Sequence, residues 1–252
     1  MSTKESIISE AVCKIKELKA EKEIIRIVAL TGSGISKGSG IPTFRGADGL
    51  WKNYNAMDLA TPQAFKRNPE LVWEWYSWRM GIILEKDPNP AHHSLVKLQE
   101  LGFLDLVITQ NVDSLHFRAG SKNILEVHGN IFRTKCEKCG KKEMIKEAPK
   151  SPPYCDCGNM LRPDVVWFGE SLDRNIINKA YEEISSKCDV LLIIGTSGLV
   201  YPVADFPFIA KEHDALIIEF NLDETPITRI ADYFIQGKSE EDLPLFVQAL
   251  QV

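Results

Sequence analysis

Residues 31–46 read Thr-Gly-Ser-Gly-Ile-Ser-Lys-Gly-Ser-Gly-Ile-Pro-Thr-Phe-Arg-Gly and directly follow the apolar run Ile24–Leu30. A β-branched strand ending in closely spaced glycines brings backbone N–H groups to a phosphate, so a nucleotide is the first ligand implied. The dinucleotide fingerprint is incomplete. Gly32 and Gly34 fit it, but Lys37 holds the third glycine position and Gly38 comes one residue late; alone, the run fits a tight turn equally well. Phe44 and Arg45 add an aromatic ring and a permanent cation just beyond, as a loop covering a cofactor needs. A second chemistry is written in Cys136-Glu-Lys-Cys139 and Cys155-Asp-Cys157. Two thiolate pairs at such spacings grip one tetrahedral zinc ion, although the second pair has one intervening residue where two are usual. The rivals are free cysteines or an iron–sulfur centre. Four thiolates leave no open position, so the ion would hold the fold and perform no reaction.

The elements that must position these residues follow from hydrophobic period. Strand patterns recur at 24–31, 104–109, 190–195 and 215–221, with helical patterns at 92–101, 173–187 and 202–212. Such alternation predicts an α/β fold, a doubly wound parallel Rossmann-like sheet. Its strands end in Thr31-Gly32-Ser33, Thr109-Gln110-Asn111, Gly195-Thr196-Ser197 and Asn221. Ligands of open α/β sheets bind outside these carboxyl ends, so the polar residues are expected to share one crevice. Residues 47–91, rich in tryptophan and punctuated by prolines, read as a helical module whose main helix runs from Pro69 to about Leu84. Residues 132–162 are poor in core formers and read as the zinc module, a smaller unit beside a nucleotide-binding domain made of 1–46, 92–131 and 163–252.

Bulk properties exclude several classes. The 252-residue chain has a net charge of −5 and no long basic run, which argues against a nucleic-acid partner. Residues 1–23 form an amphipathic helix, with Ile7, Ile8, Ala11, Val12, Ile15 and Leu18 on one face and a Ser2/Glu5 capping box, rather than a signal peptide. No apolar run approaches the ~18 residues of a spanning helix, so no membrane partner and a cytoplasmic location are expected. Cys13 and Cys188 lie in apolar-periodic stretches and read as small core residues.

Taken in order, these segments resemble the sirtuin family of NAD-dependent protein-lysine deacylases. Thr31–Gly46 is similar to its cofactor loop, Thr109-Gln110-Asn111-Val112-Asp113 to its second hallmark, and Val127-His128-Gly129 to the segment carrying the catalytic histidine. The four cysteines, Val165-Val166-Trp167-Phe168-Gly169-Glu170, Gly195-Thr196-Ser197 and Asn221 complete the series over about residues 24–240. Departures are Ser33 where alanine is usual, Lys37-Gly38 before Ser39, Ser114 where glycine is usual, and the tight Cys155/Cys157 pair. The resemblance implies NAD+ as co-substrate and structural Zn2+, with Cys136, Cys139, Cys155 and Cys157 as ligands. It implies His128 as general base and Asn111 as its catalytic companion. Cofactor contacts would come from Gly32, Ser33, Gly34, Ile35, Thr43, Phe44, Arg45, Trp51, Gln110, Asn111 and Asp113. At the other end they would come from Gly195, Thr196, Ser197, Asn221, Leu222, Asp223 and Ser239. Acylated protein lysines would be the partners, the oligomeric state being left open with a monomer plausible, and Val165, Val166, Phe168 and Gly169 would pair with the substrate backbone by strand addition.

One further pair concerns the acyl group. Tyr76 and Arg79 stand three apart on the expected helix and share a face. A phenol and a forked guanidinium together suit a carboxylate. The resemblance is to the sirtuin branch whose Tyr-x-x-Arg pair binds succinyl- or malonyl-lysine, with Ala56 as the small residue that leaves room. Acetyl-lysine, being smaller, would also enter. Plainer readings stand beside these: Asp113 as a helix cap, Val165–Phe168 as a buried strand, and His92, His93, His116 and His213 as structural or surface residues. Rival functions are a hydride-transferring dehydrogenase, a mono-ADP-ribosyltransferase and a zinc-ribbon interaction module.

Overall fold

The computed structural model describes residues 4–22, 24–43 and 59–251. Its centre is a six-stranded parallel sheet made of β1 (Ile27–Thr31), β2 (Leu104–Thr109), β3 (Ile124–Glu126), β7 (Val190–Ile194), β8 (Leu216–Asn221) and β9 (Tyr233–Gln236). The strand order is β3-β2-β1-β7-β8-β9. All five residues of β1 and of β7 are buried, as a continuous β-branched run must be when both faces of a sheet are covered.

Strand alternation divides the core in two. Ile27 and Ala29 face one layer, where α1 (Lys4–Glu21), α4 (Pro90–Glu100) and α8 (Ser239–Gln251) bring Val12, Leu95 and Phe246. Val28 and Leu30 face the other, where α6 (Arg174–Lys187) and α7 (Phe206–Glu212) bring Ile184 and Phe206. Each such side chain contributes about 1.5–3 kcal/mol on leaving water.

The chain steps outward from β1 to β3, then crosses back to β7 and steps outward to β9. The direction of winding therefore reverses between β1 and β7, which is where such sheets open a crevice.

Between β3 and β7 a second sheet forms from β4 (Gly129–Cys136), β5 (Lys142–Met144) and β6 (Leu161–Val165), antiparallel in the order β5-β4-β6. Over it lies α3 (Pro69–Leu84), preceded by the short α2 (Pro62–Arg67). Thr61 and Asn68 cap these helices by accepting from Ala64 N–H and Leu71 N–H, and a proline fills each first turn, where its missing donor costs nothing. Trp73, Tyr76, Met80, Phe132, Val165 and Trp167 pack together between α3 and the small sheet.

A half-buried cation joins the two sheets. Arg133 on β4 donates to Glu126 on β3 at 2.8 Å and to Asp164 on β6 at 2.5 Å. Burial works to raise the Asp164 carboxyl, but the bonds from Arg133 and Lys142 outweigh it and hold the group below its usual range.

The expected strands and helices are present with ends shifted by a few residues, and α3 has the bounds read from its prolines and apolar pattern. The alternation missed β3, β9 and α8. Cys13 is a correction: it is exposed, because the buried stripe of α1 is Ile8, Ala11, Val12 and Ile15 and Cys13 lies just off it. Cys188 is buried, and burial pushes its thiol up to about 12. The proposed Ser2 cap lies outside the described residues, and no helix among those described is long and apolar enough to cross a membrane.

Gly129 has φ +81, and a Cβ there would overlap the Asp164 carbonyl, whereas Gly102 has φ +73 with open space around it. Gly102→Ala should therefore cost only the left-handed strain of about 1–2 kcal/mol. Gly129→Ala should cost clearly more, and denaturant unfolding of both variants checks the difference.

Candidate functional site

At the switch point the ends of β1 and β7 meet backbone to backbone. Gly32 N–H donates to Ile194 O at 2.9 Å and Gly34 N–H to Gly195 O at 2.8 Å. A Cβ on Gly34 would lie 2.6 Å from Gly195 Cα, and one on Gly195 would lie 2.5 Å from Ile35 N. The glycines are thus required by contact between two loops, and the N–H groups of Gly32 and Gly34 are already spent on it. Phosphate donors on this rim must be other groups, which revises the simplest reading of the glycine run.

The turn that follows (Ser33–Ser39, a 3-10 helix) carries Ser36, which organises its neighbours. Asn111 Nδ2 donates to Gly32 O at 3.0 Å and to Ser36 Oγ at 3.2 Å. A carbonyl only accepts, so the amide is fixed with Oδ1 as its remaining acceptor. Ser36 Oγ donates in turn to Asp113 Oδ2 at 2.7 Å, while Asp113 Oδ1 accepts from Leu115 N–H at 2.9 Å. Asp113 therefore does act at the start of α5 (Leu115–Ala119), as the plain reading held, but one of its oxygens belongs to the Ser36–Asn111 network. Burial pushes its carboxyl above the usual range, against the pull of those two hydrogen bonds and of Arg79.

Gln110 Nε2 donates to Thr196 Oγ1 at 2.8 Å, and Asn221 Nδ2 donates to Thr196 O at 2.8 Å. The ends of β2, β7 and β8 are thereby stitched into one rim. Below it Leu30, Gly198, Val200, Val203 and Ile227 line a small apolar hollow with Gln110 and Thr196 at its edge. Leu222 and Asp223 are exposed beyond Asn221, and Ser239 is buried at the start of α8.

His128 sits between β3 and β4, half-buried, with Nδ1 3.1 Å from Gln110 O. Because that carbonyl can only accept, Nδ1 carries the proton and Nε2 keeps the lone pair. The other histidines lack this arrangement. His116 Nε2 bonds Thr31 Oγ1 at 2.9 Å, and its ring meets His92 edge-on at 5.0 Å. Burial pushes His92 down to about 2 and His116 to about 4, so both stay neutral packing groups, while His93 and His213 are exposed.

On α3, Tyr76 is 1% exposed and accepts from Trp167 Nε1 at 2.8 Å. Arg79 lies one turn on, its Cζ 4.8 Å from the Trp75 ring. Burial lowers the Arg79 guanidinium, while Tyr76 and Asp113 support its charge. The expected substrate edge is more committed than an open strand. Val165 is buried and paired with Gly129, and the N–H groups of Val166, Trp167 and Phe168 bond His128 O, Glu170 Oε2 and Ala60 O. Phe168 and Gly169 are exposed. Phe44, Arg45, Trp51 and Ala56 lie outside the described residues; Ser33, Ile35, Thr43 and Ser197 lie along the two loops of the rim. Sequence reasoning passed over Ser36 and Trp167. Both make contacts that no local pattern encodes, although a serine inside the glycine turn and a tryptophan just beyond a buried strand were visible signals.

The cysteines come together as expected. Their sulfurs lie within 4.8 Å of one another, with Cys136–Cys157 at 3.5 Å and Cys139–Cys155 at 3.6 Å. Thiolates at tetrahedral corners, each about 2.3 Å from zinc, stand about 3.8 Å apart, so the set fits a structural zinc ion despite the short second pair. The local apolar cluster is only Cys136, Cys155 and Leu161, too little to order the segment by itself. One zinc ion per chain is expected by native mass spectrometry. Cys136→Ser should lose it and lower the thermal midpoint, since structural zinc binding is folding free energy.

Comparison with known proteins places this arrangement. Residues 32–202 match the Sir2 family. An NAD-dependent protein deacylase of Pyrococcus abyssi (strain GE5 / Orsay) is 52% identical over 232 residues, 89% of this chain and 92% of its own. A Sir2 homologue solved with NAD superposes with a TM-score of 0.87 at 47% identity, covering 94% of this chain and 93% of that one. A Sir2–p53 peptide–NAD+ complex superposes at 0.79 with 34% identity, covering 92% of this chain and 95% of that one. A family match over more than half of the chain, together with a relative 52% identical along nearly its whole length, shows that this chain belongs to the Sir2 family.

Proposed function

We propose that the chain is an NAD+-dependent protein-lysine deacylase whose acyl pocket favours chains ending in a carboxylate, succinyl or malonyl, while still admitting acetyl. The observation that carries the reaction is His128, a neutral imidazole whose Nδ1 is occupied by the Gln110 carbonyl and whose Nε2 is left as a base. NAD+ when bound supplies an ADP-ribosyl group with nicotinamide as its leaving group, and ADP-ribose takes up the acyl chain. Among the chain's own residues, Asp113 holds the nicotinamide carboxamide with a buried carboxylate. Asn111 orients the ribose and a water through Oδ1, and Gln110, Thr196, Ser197 and Asn221 hold the ribose and adenosine side. His128 Nε2 takes the proton of a ribose hydroxyl, the step that needs a base poised near neutrality. Burial of Asn111 and Asp113 at the base of the crevice restricts water there to positions these residues hold, which limits competition for the activated sugar. With the Val166 and Phe168 N–H groups bonded to His128 O and Ala60 O, the substrate peptide would pair with the remaining main-chain groups of Val166, Phe168 and Gly169, and the Sir2–p53 peptide–NAD+ relative supports a peptide partner.

The acidic preference rests on Tyr76 and Arg79 standing one turn apart on α3 against buried aromatic rings. A carboxylate there meets a donor and a cation that water screens poorly. Arg79→Met should lower kcat/KM for a succinyl-lysine peptide roughly 30-fold or more, with a far smaller loss on the acetyl peptide of the same sequence. Equal losses would make Arg79 structural.

The pH profile follows from His128. Burial holds its imidazole below the ordinary 6.5, outweighing the Gln110 carbonyl bond, which favours the charged form. A base works deprotonated, so kcat/KM should fall as pH drops through that lowered value and stay level above it. An acid limb below pH 6.5 is expected in steady-state assays. A limb well above it would point to a different titrating group.

A further inference from the structure

The Tyr76 hydroxyl has a fixed polarity. Its oxygen accepts from Trp167 Nε1 at 2.8 Å, and an indole N–H has no way to reverse that bond. The phenol is left with one proton to give, and among the described residues no acceptor for it is recorded. Burial pushes the phenol above its usual pKa, so the proton stays in place.

The indole itself is immobilised. Arg162 Cζ lies 3.3 Å from the Trp167 ring centroid, Phe65 packs at 5.3 Å, and the Trp167 backbone N–H donates to Glu170 Oε2 at 2.9 Å. Glu170 is held by both arms of Arg162, at 2.6 and 2.9 Å, and Arg162 also reaches Glu137 inside the Cys136–Cys139 knuckle at 3.0 Å. Trp167 is 2% exposed and has no room to turn away.

We propose that Trp167 is a specificity-determining residue: by occupying the acceptor side of the Tyr76 hydroxyl, it turns that hydroxyl into an obligate donor aimed at an acyl chain that ends in an acceptor. This rests on the acyl-pocket reading given above. A succinyl or malonyl carboxylate takes the proton as a charge-assisted bond. An acetyl methyl cannot, and leaves a buried donor unpaired. Without the indole N–H the hydroxyl is free to rotate and act as an acceptor, and the discrimination weakens. Trp167 does not touch the reacting atoms; it positions a group that touches the substrate.

The test is a double-mutant cycle read as a ratio of kcat/KM values for succinyl- and acetyl-lysine peptides of one sequence. Trp167→Phe should lower the succinyl-to-acetyl ratio roughly ten-fold, through KM for the succinyl peptide and with the acetyl rate nearly unchanged. In a Tyr76→Phe background the same substitution should leave the ratio where Tyr76→Phe put it, because the two residues act as one unit. Zinc content and thermal midpoint check folding. Should phenylalanine leave a disruptive cavity, benzothienylalanine at position 167 keeps the bicyclic ring and replaces only the N–H. An unchanged ratio, equal losses on both peptides, or an undiminished effect without the Tyr76 hydroxyl would each overturn the proposal. If Arg79→Met also fails to discriminate between the peptides, the acyl-pocket reading falls. If Arg79→Met discriminates and Trp167→Phe does not, only the role of Trp167 falls.

Discussion

Two loops in direct backbone contact set the geometry of everything around them. Gly32 and Gly34 at the end of β1 press against Gly195 at the end of β7, with no space for a single Cβ between them. That contact brings the switch point of the sheet to its narrowest. It fixes the Gly32 carbonyl, from which Asn111 hangs, and the turn carrying Ser36, to which Asn111 and Asp113 are both bonded. A side chain at any of the three glycines would separate the halves of the crevice before it met any ligand. The glycines of a nucleotide loop are commonly read as making room for phosphate; here part of that room is taken up by the protein's own second loop.

Asn111, His128 and Tyr76 share a second device. Each has one polar valence consumed by a partner that can play only one role, which dictates what the other valence presents. The Gly32 carbonyl orients the Asn111 amide, the Gln110 carbonyl sets the tautomer of His128, and the Trp167 indole sets the direction of the Tyr76 hydroxyl. Among buried and half-buried groups such bonds are strong and mistakes are costly, so the partners pre-organise these side chains rather than merely support them. The small sheet takes part through the same logic. Its zinc-fitting cysteines sit in a segment with a small local core, and Arg162 runs from that segment to the Trp167 ring that packs beside Tyr76. Arg133 performs the corresponding service between β3, β4 and β6.

Much of this was legible along the chain because the signals are local. Apolar runs bounded by glycine and threonine located β1, β2, β7 and β8, and proline at first-turn positions with a helical apolar period located α3. The cysteine spacing disclosed the metal site, and the order of the polar strand ends disclosed a shared crevice. β3 and β9 were missed because each is too short to show a period, and α8 because Pro244 interrupts its pattern. Cys13 was misplaced by one step around a helix, a distance at which burial changes while the apolar composition does not.

What the sequence determined by itself was therefore the kinds of group available: a set of thiolates at metal-binding spacing, an imidazole, a phenol–guanidinium pair and a run of strand-end amides. What only the tertiary structure decided was direction. Whether the Gly32 and Gly34 N–H groups face a ligand or a second loop, which nitrogen of His128 is basic, and whether Tyr76 donates or accepts are settled by residues 18 to more than 160 positions away. Hydrogen bonds have polarity, and polarity is set by the partner. Partners this distant in the chain meet only when the sheets and their loops have packed.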